Sequence, residues 1–107
     1  MTEAQIQKAV FANLRERARP GVVYWHTPND KSSRSKSGYR AGVSDVACVW
    51  NGSFYAIELK KDGGHPTEDQ MTFVSDINKA GGFACIAEGL DQALCILESW
   101  GLLRGAA

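Results

Sequence analysis

The sequence predicts an α/β domain whose elements run helix, three strands, helix, strand, helix. Three observations predict it. Asn51-Gly52 separates two short apolar segments, the strongest short-range signal for a β-hairpin. Thr2 and Thr67 each stand three residues before a glutamine, Gln5 and Gln70, in the spacing of a helix-opening capping box. Gly81-Gly82 ends a helical run and leads into Phe83-Ala84-Cys85-Ile86-Ala87, a short strand of the buried kind.

Taken in order, the first helix opens at Thr2 and runs to Arg17 or Ala18, with Ile6, Val10 and Leu14 at helical spacing and Phe11 on the flank. Glu3 and Gln7 either extend this stripe toward the N-terminus or sit exposed on the first turn, where an acid suits the helix dipole. Arg19-Pro20-Gly21 stops the helix. Val22 to His26 is β-branched and aromatic and reads as a strand, ended by Pro28 and Asn29. From Pro28 to Gly42 there is no periodicity, only a Ser-rich loop carrying Lys31, Arg34, Lys36 and Arg40 with Asp30 as its only acid. Such a loop is solvated, and its residue types are those that contact phosphates.

After the hairpin, Lys61 to Pro66 is turn-rich, and a helix opens at Thr67 with Met71, Phe73, Val74 and Ile77 as its apolar face. The last helix spans Leu90 to Trp100 and carries Leu94, Leu97 and Trp100. Leu102 and Leu103 prolong this apolar tail; they pack back on the domain or meet a second copy. With no internal repeat and no linker, residues 1–107 read as one domain.

Composition is that of an ordinary soluble protein, with 44% apolar and 22% charged residues. No apolar run reaches the roughly 20 residues of a membrane span, and the N-terminus lacks the pattern of a signal peptide. Cys48, Cys85 and Cys95 each lie in an apolar run without zinc-site spacing, so they read as buried thiols of a reducing, cytoplasmic compartment. The formal net charge is zero, but residues 1–40 hold eight Lys or Arg against three acids, while residues 41–107 hold four against nine. Such asymmetry is a hint of nucleic-acid contact.

The hairpin carries the chemistry. A two-residue loop pairs Trp50 with Ser53 and, counting outward, sets Asp45 opposite Glu58. Alternation then puts Asp45, Glu58 and Lys60 on one face. Opposed residues have Cβ atoms roughly 4.5–5.5 Å apart, where like charges destabilise the pair unless something is shared between them. Hard oxygen ligands on neighbouring strands suit Mg²⁺ or Mn²⁺, and the main-chain carbonyl of Leu59 could add a ligand. Lys60 could orient an attacking water or stabilise charge on phosphoryl oxygens. Gln70 has a complete structural explanation as the capping-box residue, with which a catalytic role competes. His26, with Tyr24 and Lys60, offers an alternative metal-independent acid–base set for RNA cleavage.

Gly42-Val43-Ser44-Asp45, then Ile57-Glu58-Leu59-Lys60, then Gln70 on the next helix, resembles the PD-(D/E)XK nuclease superfamily and, more closely, its VRR-NUC (virus-type replication-repair nuclease) family. The likeness spans nearly the whole chain. It departs at Ser44, where a proline often precedes the aspartate. The resemblance implies a restriction-endonuclease-like αβββαβ core, a mixed four-stranded sheet flanked by helices, plus the C-terminal helix. It implies that Asp45 and Glu58 bind Mg²⁺ or Mn²⁺, that Lys60 assists hydrolysis and that Gln70 lines the site. Glu3 is then the candidate for the family's N-terminal-helix acid, and Lys31, Arg34, Lys36 and Arg40 would contact DNA. Stand-alone domains of this kind resemble resolvase-type nucleases working as homodimers on branched DNA, in the cytoplasm of a bacterial or phage-infected cell. A four-way junction offers two symmetric strands to a two-fold dimer. A non-cleaving DNA-binding module of the same fold is the other expectation.

Overall fold

The first helix is fixed by its own end. In the computed structural model, which describes residues 1–28 and 37–105, α1 (Glu3–Arg17) begins with Thr2 Oγ1 accepting the Gln5 amide at 3.1 Å. Gln5 Oε1 accepts the Thr2 amide in return at 2.9 Å, so two otherwise orphaned donors are satisfied. Lys31, Arg34 and Lys36 lie outside the described residues.

Four strands follow in one sheet: β1 (Val23–His26), β2 (Val46–Trp50), β3 (Ser53–Lys60) and β4 (Phe83–Glu88). They lie side by side in the order β1-β2-β3-β4, the first two pairings antiparallel and the last parallel. The sheet is therefore mixed, as expected. Asn51 and Gly52 both have positive φ (49° and 79°), the backbone of the tight turn that Asn-Gly favours. The register is the one counted from the sequence: Trp50 opposes Ser53 and Val46 opposes Ile57. α2 (Glu68–Lys79) makes the crossover between the parallel strands β3 and β4, and α3 (Leu90–Ser99) follows β4 directly.

The main core lies on one face of the sheet. Ile57 and Leu59 of β3, Val46 and Cys48 of β2 and Ala87 of β4 meet Ile6, Val10 and Leu14 of α1 and Ala93 and Leu97 of α3. Arg17 and Glu98 pair at 2.5 Å, which holds the C-terminal ends of α1 and α3 together. On the other face α2 packs over β3 and β4 through a smaller cluster of Ala56, Phe73 and Ala84, with Val43, Phe54, Val74 and Ile77 around it. Leu102 and Leu103 pack back on the domain. They are fully buried, Leu102 accepts the Arg19 amide at 2.9 Å, and Leu103 bridges to Ala18.

Three details differ from expectation. Cys48 is buried, and burial pushes its thiol up to about 12, but Cys85 is only half-buried and Cys95 is exposed on α3. Met71 is 47% exposed, because the sheet side of α2 is filled by Phe73, Val74 and Ile77. β1 starts at Val23 rather than Val22. Among the described residues no helix is long and apolar enough to cross a membrane.

Candidate active site

Asp45 is the residue just before β2. Its main-chain carbonyl accepts the Thr27 amide at 3.0 Å, continuing the β1–β2 ladder by one step, and His26 Nδ1 lies 3.0 Å from the same oxygen. With the backbone so held, the carboxylate points across to β3, where Oδ2 accepts the Leu59 amide at 3.0 Å. An extended residue projects its N–H and C=O to the same edge. The Leu59 carbonyl therefore also faces the Asp45 side.

Glu58 stands beside Asp45 on the face covered by α2, and is only 3% exposed. Its Oε1 accepts from Gln70 Nε2 at 2.8 Å and lies 3.8 Å from Lys60 Nζ. Among the described residues its Oε2 is buried with no hydrogen-bond donor. The carboxyl is pushed from its ordinary 4.5 to about 8. Burial is the largest cause, followed by repulsion from the Asp45 carboxylate; the Lys60 ammonium opposes both. Asp45 within hydrogen-bonding reach, able to share a proton, and the more remote charge of Glu3 add to the rise. Two carboxylates so close either share a proton or need a cation between them to ionise together.

Gln70 does two things at once. Its Oε1 accepts the Thr67 amide at 2.9 Å and its amide donates to Thr67 Oγ1 at 3.1 Å, closing the capping box of α2. The remaining donor, Nε2, holds Glu58. The cap and the site use different atoms of one side chain, so the two readings of Gln70 do not compete.

Gly42 brings the loop before Asp45 onto this helix end. A Cβ there would lie 2.3 Å from the Asp69 carbonyl and 2.7 Å from the Gln70 amide nitrogen, and φ is +80°. Only glycine fits such an approach. This residue carries the placement of Asp45 relative to Gln70, and its signal in the sequence was a lone glycine three residues before the acid.

The other candidates divide. Glu3 is exposed on the first turn of α1, and among the described residues no three His, Cys, Asp or Glu side chains gather closely enough to hold a metal. Arg40 is docked on α2, its guanidinium 2.6 Å from Asp76 Oδ2 and over the Phe73 ring at 5.2 Å. His26 and Tyr24 oppose Val46 and Cys48 on the α1 side, and the His26 ring meets Phe11 edge-on at 6.0 Å. Lys60 lies on the opposite face. The acid–base trio of His26, Tyr24 and Lys60 therefore does not assemble.

The residues fit a divalent cation. Two hard carboxylates adjoin, one oxygen is buried and unpartnered, and a main-chain carbonyl faces the same side. The concavities among the described residues, of about 420 and 250 Å³, are lined by the outer side of α2 and by the start of α3; neither includes Asp45 or Glu58.

A solved structure described as a VRR_NUC domain protein has the same fold. The TM-score is 0.74 over 92% of this chain and 86% of that one, at 22% sequence identity. At that identity the likeness is one of fold. No protein-family model matches the chain. No curated protein matches it either.

Proposed function

We propose that this chain is a VRR-NUC-type, divalent-metal-dependent DNA endonuclease, selective for branched DNA and working as a homodimer in the cytoplasm. The observation that carries the reading is Glu58: a buried carboxylate beside Asp45, with one oxygen unpartnered and an ammonium 3.8 Å from the other. A charged cluster of this kind is costly to bury, and the likeness of fold to a VRR_NUC domain protein gives it a purpose.

Mg²⁺ or Mn²⁺, when bound, supplies a Lewis acid that activates water and offsets phosphodiester charge. Asp45, Glu58 and the Leu59 carbonyl would hold the ion. The Leu59 amide fixes the Asp45 carboxylate, and Gln70 fixes Glu58, so both ligands are oriented in advance. Lys60, with its side chain largely buried, presents a compact positive charge to the attacking water or the phosphoryl oxygens. Lys31, Arg34, Lys36 and Arg40 would contact phosphates, Arg40 by exchanging Asp76 for a phosphate oxygen.

The test is a panel of labelled four-way, flapped, single-stranded and linear duplex DNA, incubated with Mg²⁺ or Mn²⁺ and with chelator. Cleavage of the branched substrates that chelator, Asp45→Ala and Glu58→Ala each abolish is the expected result. No cleavage of any substrate, or unimpaired cleavage by both variants, overturns the assignment; sedimentation decides the homodimer.

A further inference from the structure

The face that carries Asp45 and Glu58 continues, toward the β1 edge, into a surface that α2 does not cover. Register puts Val23, Trp25, Ala47 and Val49 on this face, since Val23 opposes Val49 and Trp25 opposes Ala47. Val23 is 58% exposed, Trp25 42% and Val49 38%. The Trp25 ring leans on Phe54 with centroids 6.4 Å apart, so one side is braced and the other is open. Trp25 is cross-strand from Ala47, and Asp45 lies two residues further along. Strand geometry then sets the Trp25 and Asp45 Cα atoms about 8 Å apart, with both side chains on one face. An exposed indole costs hydration without contributing to the core, and a contiguous apolar patch on a small domain marks a contact surface.

A phosphodiester strand lying on the carboxylate pair brings its own bases along. Paired bases bury their faces in the stack, and a duplex presents only its charged backbone and groove edges outward. Unpaired bases alone offer open apolar faces, and these stack on exposed aromatic side chains. We infer that Trp25 is a substrate-contacting residue on which an unpaired base beside the scissile phosphate stacks. The substrate class is thus nucleic acid with unstacked nucleotides at the cut, such as a flap base or the crossover of a junction. This rests on the nuclease reading for the location of the scissile phosphate. Contact with Phe54 restricts the ring on one side, which lowers the ordering cost of stacking.

Binding, measured by fluorescence anisotropy in chelator, tests this apart from cleavage. Wild type and Trp25→Ala are each titrated against a flapped duplex, and against the same duplex with abasic sites at the unpaired positions. Trp25→Ala should weaken binding of the intact flap by about 5- to 150-fold, the span of base–aromatic stacking. The abasic substrate should weaken wild type similarly, and the two losses should not add. Trp25→Phe should recover most of the affinity. Should Trp25→Ala fail to fold, Trp25→Leu, which keeps apolar bulk without a planar face, takes its place in the cycle. Losses that add, or an unchanged affinity, overturn the inference. A variant that changes only the sedimentation coefficient also overturns it, because the patch would then belong to a second copy of the chain. If wild type cuts nothing yet the cycle shows coupling at Trp25, the nuclease reading fails while the stacking residue stands.

Discussion

The two faces of the sheet are built from the same strands and answer to opposite demands. Along β3, Ile57 and Leu59 point into the core beneath α1 and α3, while Glu58 and Lys60, interleaved with them, point beneath α2. The first face is continuous and apolar, from Ile6 to Leu103. The second buries a carboxylate with an unpartnered oxygen and an ammonium beside it. Stability is concentrated on one face so that the other can hold charges that oppose folding. Strand alternation makes that division possible within a single four-residue run, Ile57-Glu58-Leu59-Lys60.

The sharpest way to break this comparison is to cut into each face in turn. Leu59→Ala removes a fully buried side chain and should lower unfolding free energy by about 2–5 kcal/mol, read by denaturant titration. Glu58→Gln, its chemical neighbour, should leave the metal-free protein at least as stable at pH 8 while removing metal-dependent cleavage. If Glu58→Gln unfolds the protein as Leu59→Ala does, the two faces are not divided in this way.

Gly42→Ala comes next. A methyl group would meet the Asp69 carbonyl at 2.3 Å in a left-handed backbone, so the loop must withdraw from α2. A cost of about 1–3 kcal/mol is expected, with loss of cleavage out of proportion to stability because Asp45 moves. Thermal melting and the cleavage assay together check it.

Gln70→Glu separates the two jobs of one side chain. A glutamate at this position still serves a capping box, but it cannot donate to Glu58 and adds a third negative charge. Helix content by circular dichroism should be unchanged, while metal-dependent cleavage should fall about 10- to 100-fold because Glu58 loses its orienting donor. Unchanged cleavage would show that Gln70 is only a cap.

The last effect is a slope. Burial and the neighbouring Asp45 carboxylate push Glu58 from its ordinary 4.5 to about 8 in the folded chain, so the protonated form favours folding. Its contribution is complete below pH 4.5 and is lost as pH rises through 8, so the metal-free protein should melt at lower temperature at pH 8.5 than at pH 5.5. Each kcal/mol moves the melting temperature of a domain of this size by about 4–8 °C. Mn²⁺ should reverse the loss at the higher pH, and Glu58→Gln should flatten the slope.

Much of this was legible because it is local. Asn51-Gly52 dictates its own turn, the turn dictates the register, and the register pairs Asp45 with Glu58. Thr2 with Gln5 and Thr67 with Gln70 likewise announce helix ends within four residues. What could not be read depends on segments distant in the chain. Which side of β1 meets α1 decides that His26 packs on Phe11 rather than approaching Lys60, and no periodicity in four residues reveals it. Leu102 and Leu103 find Ala18 and Arg19 only once α1 and α3 lie together. Met71 and Cys95 belong to apolar runs by composition but fall on the outer sides of their helices. The close approach of Gly42 to Asp69 is a tertiary fact, and glycine's permissiveness hides its purpose until the neighbour is seen.

The shared use of Gln70 also fixes where the chain can change length. The turn from Lys61 to Pro66 lies before the helix, so a change of length there leaves the angle between Thr67 and Gln70 about the helix axis unaltered. A change between Thr67 and Gln70 does not. One residue inserted there turns every following side chain by about 100° around the helix axis. The amide would swing away from Glu58, and a different residue would face the carboxylate. Related chains that keep this site should therefore hold the first turn of α2 to a constant length.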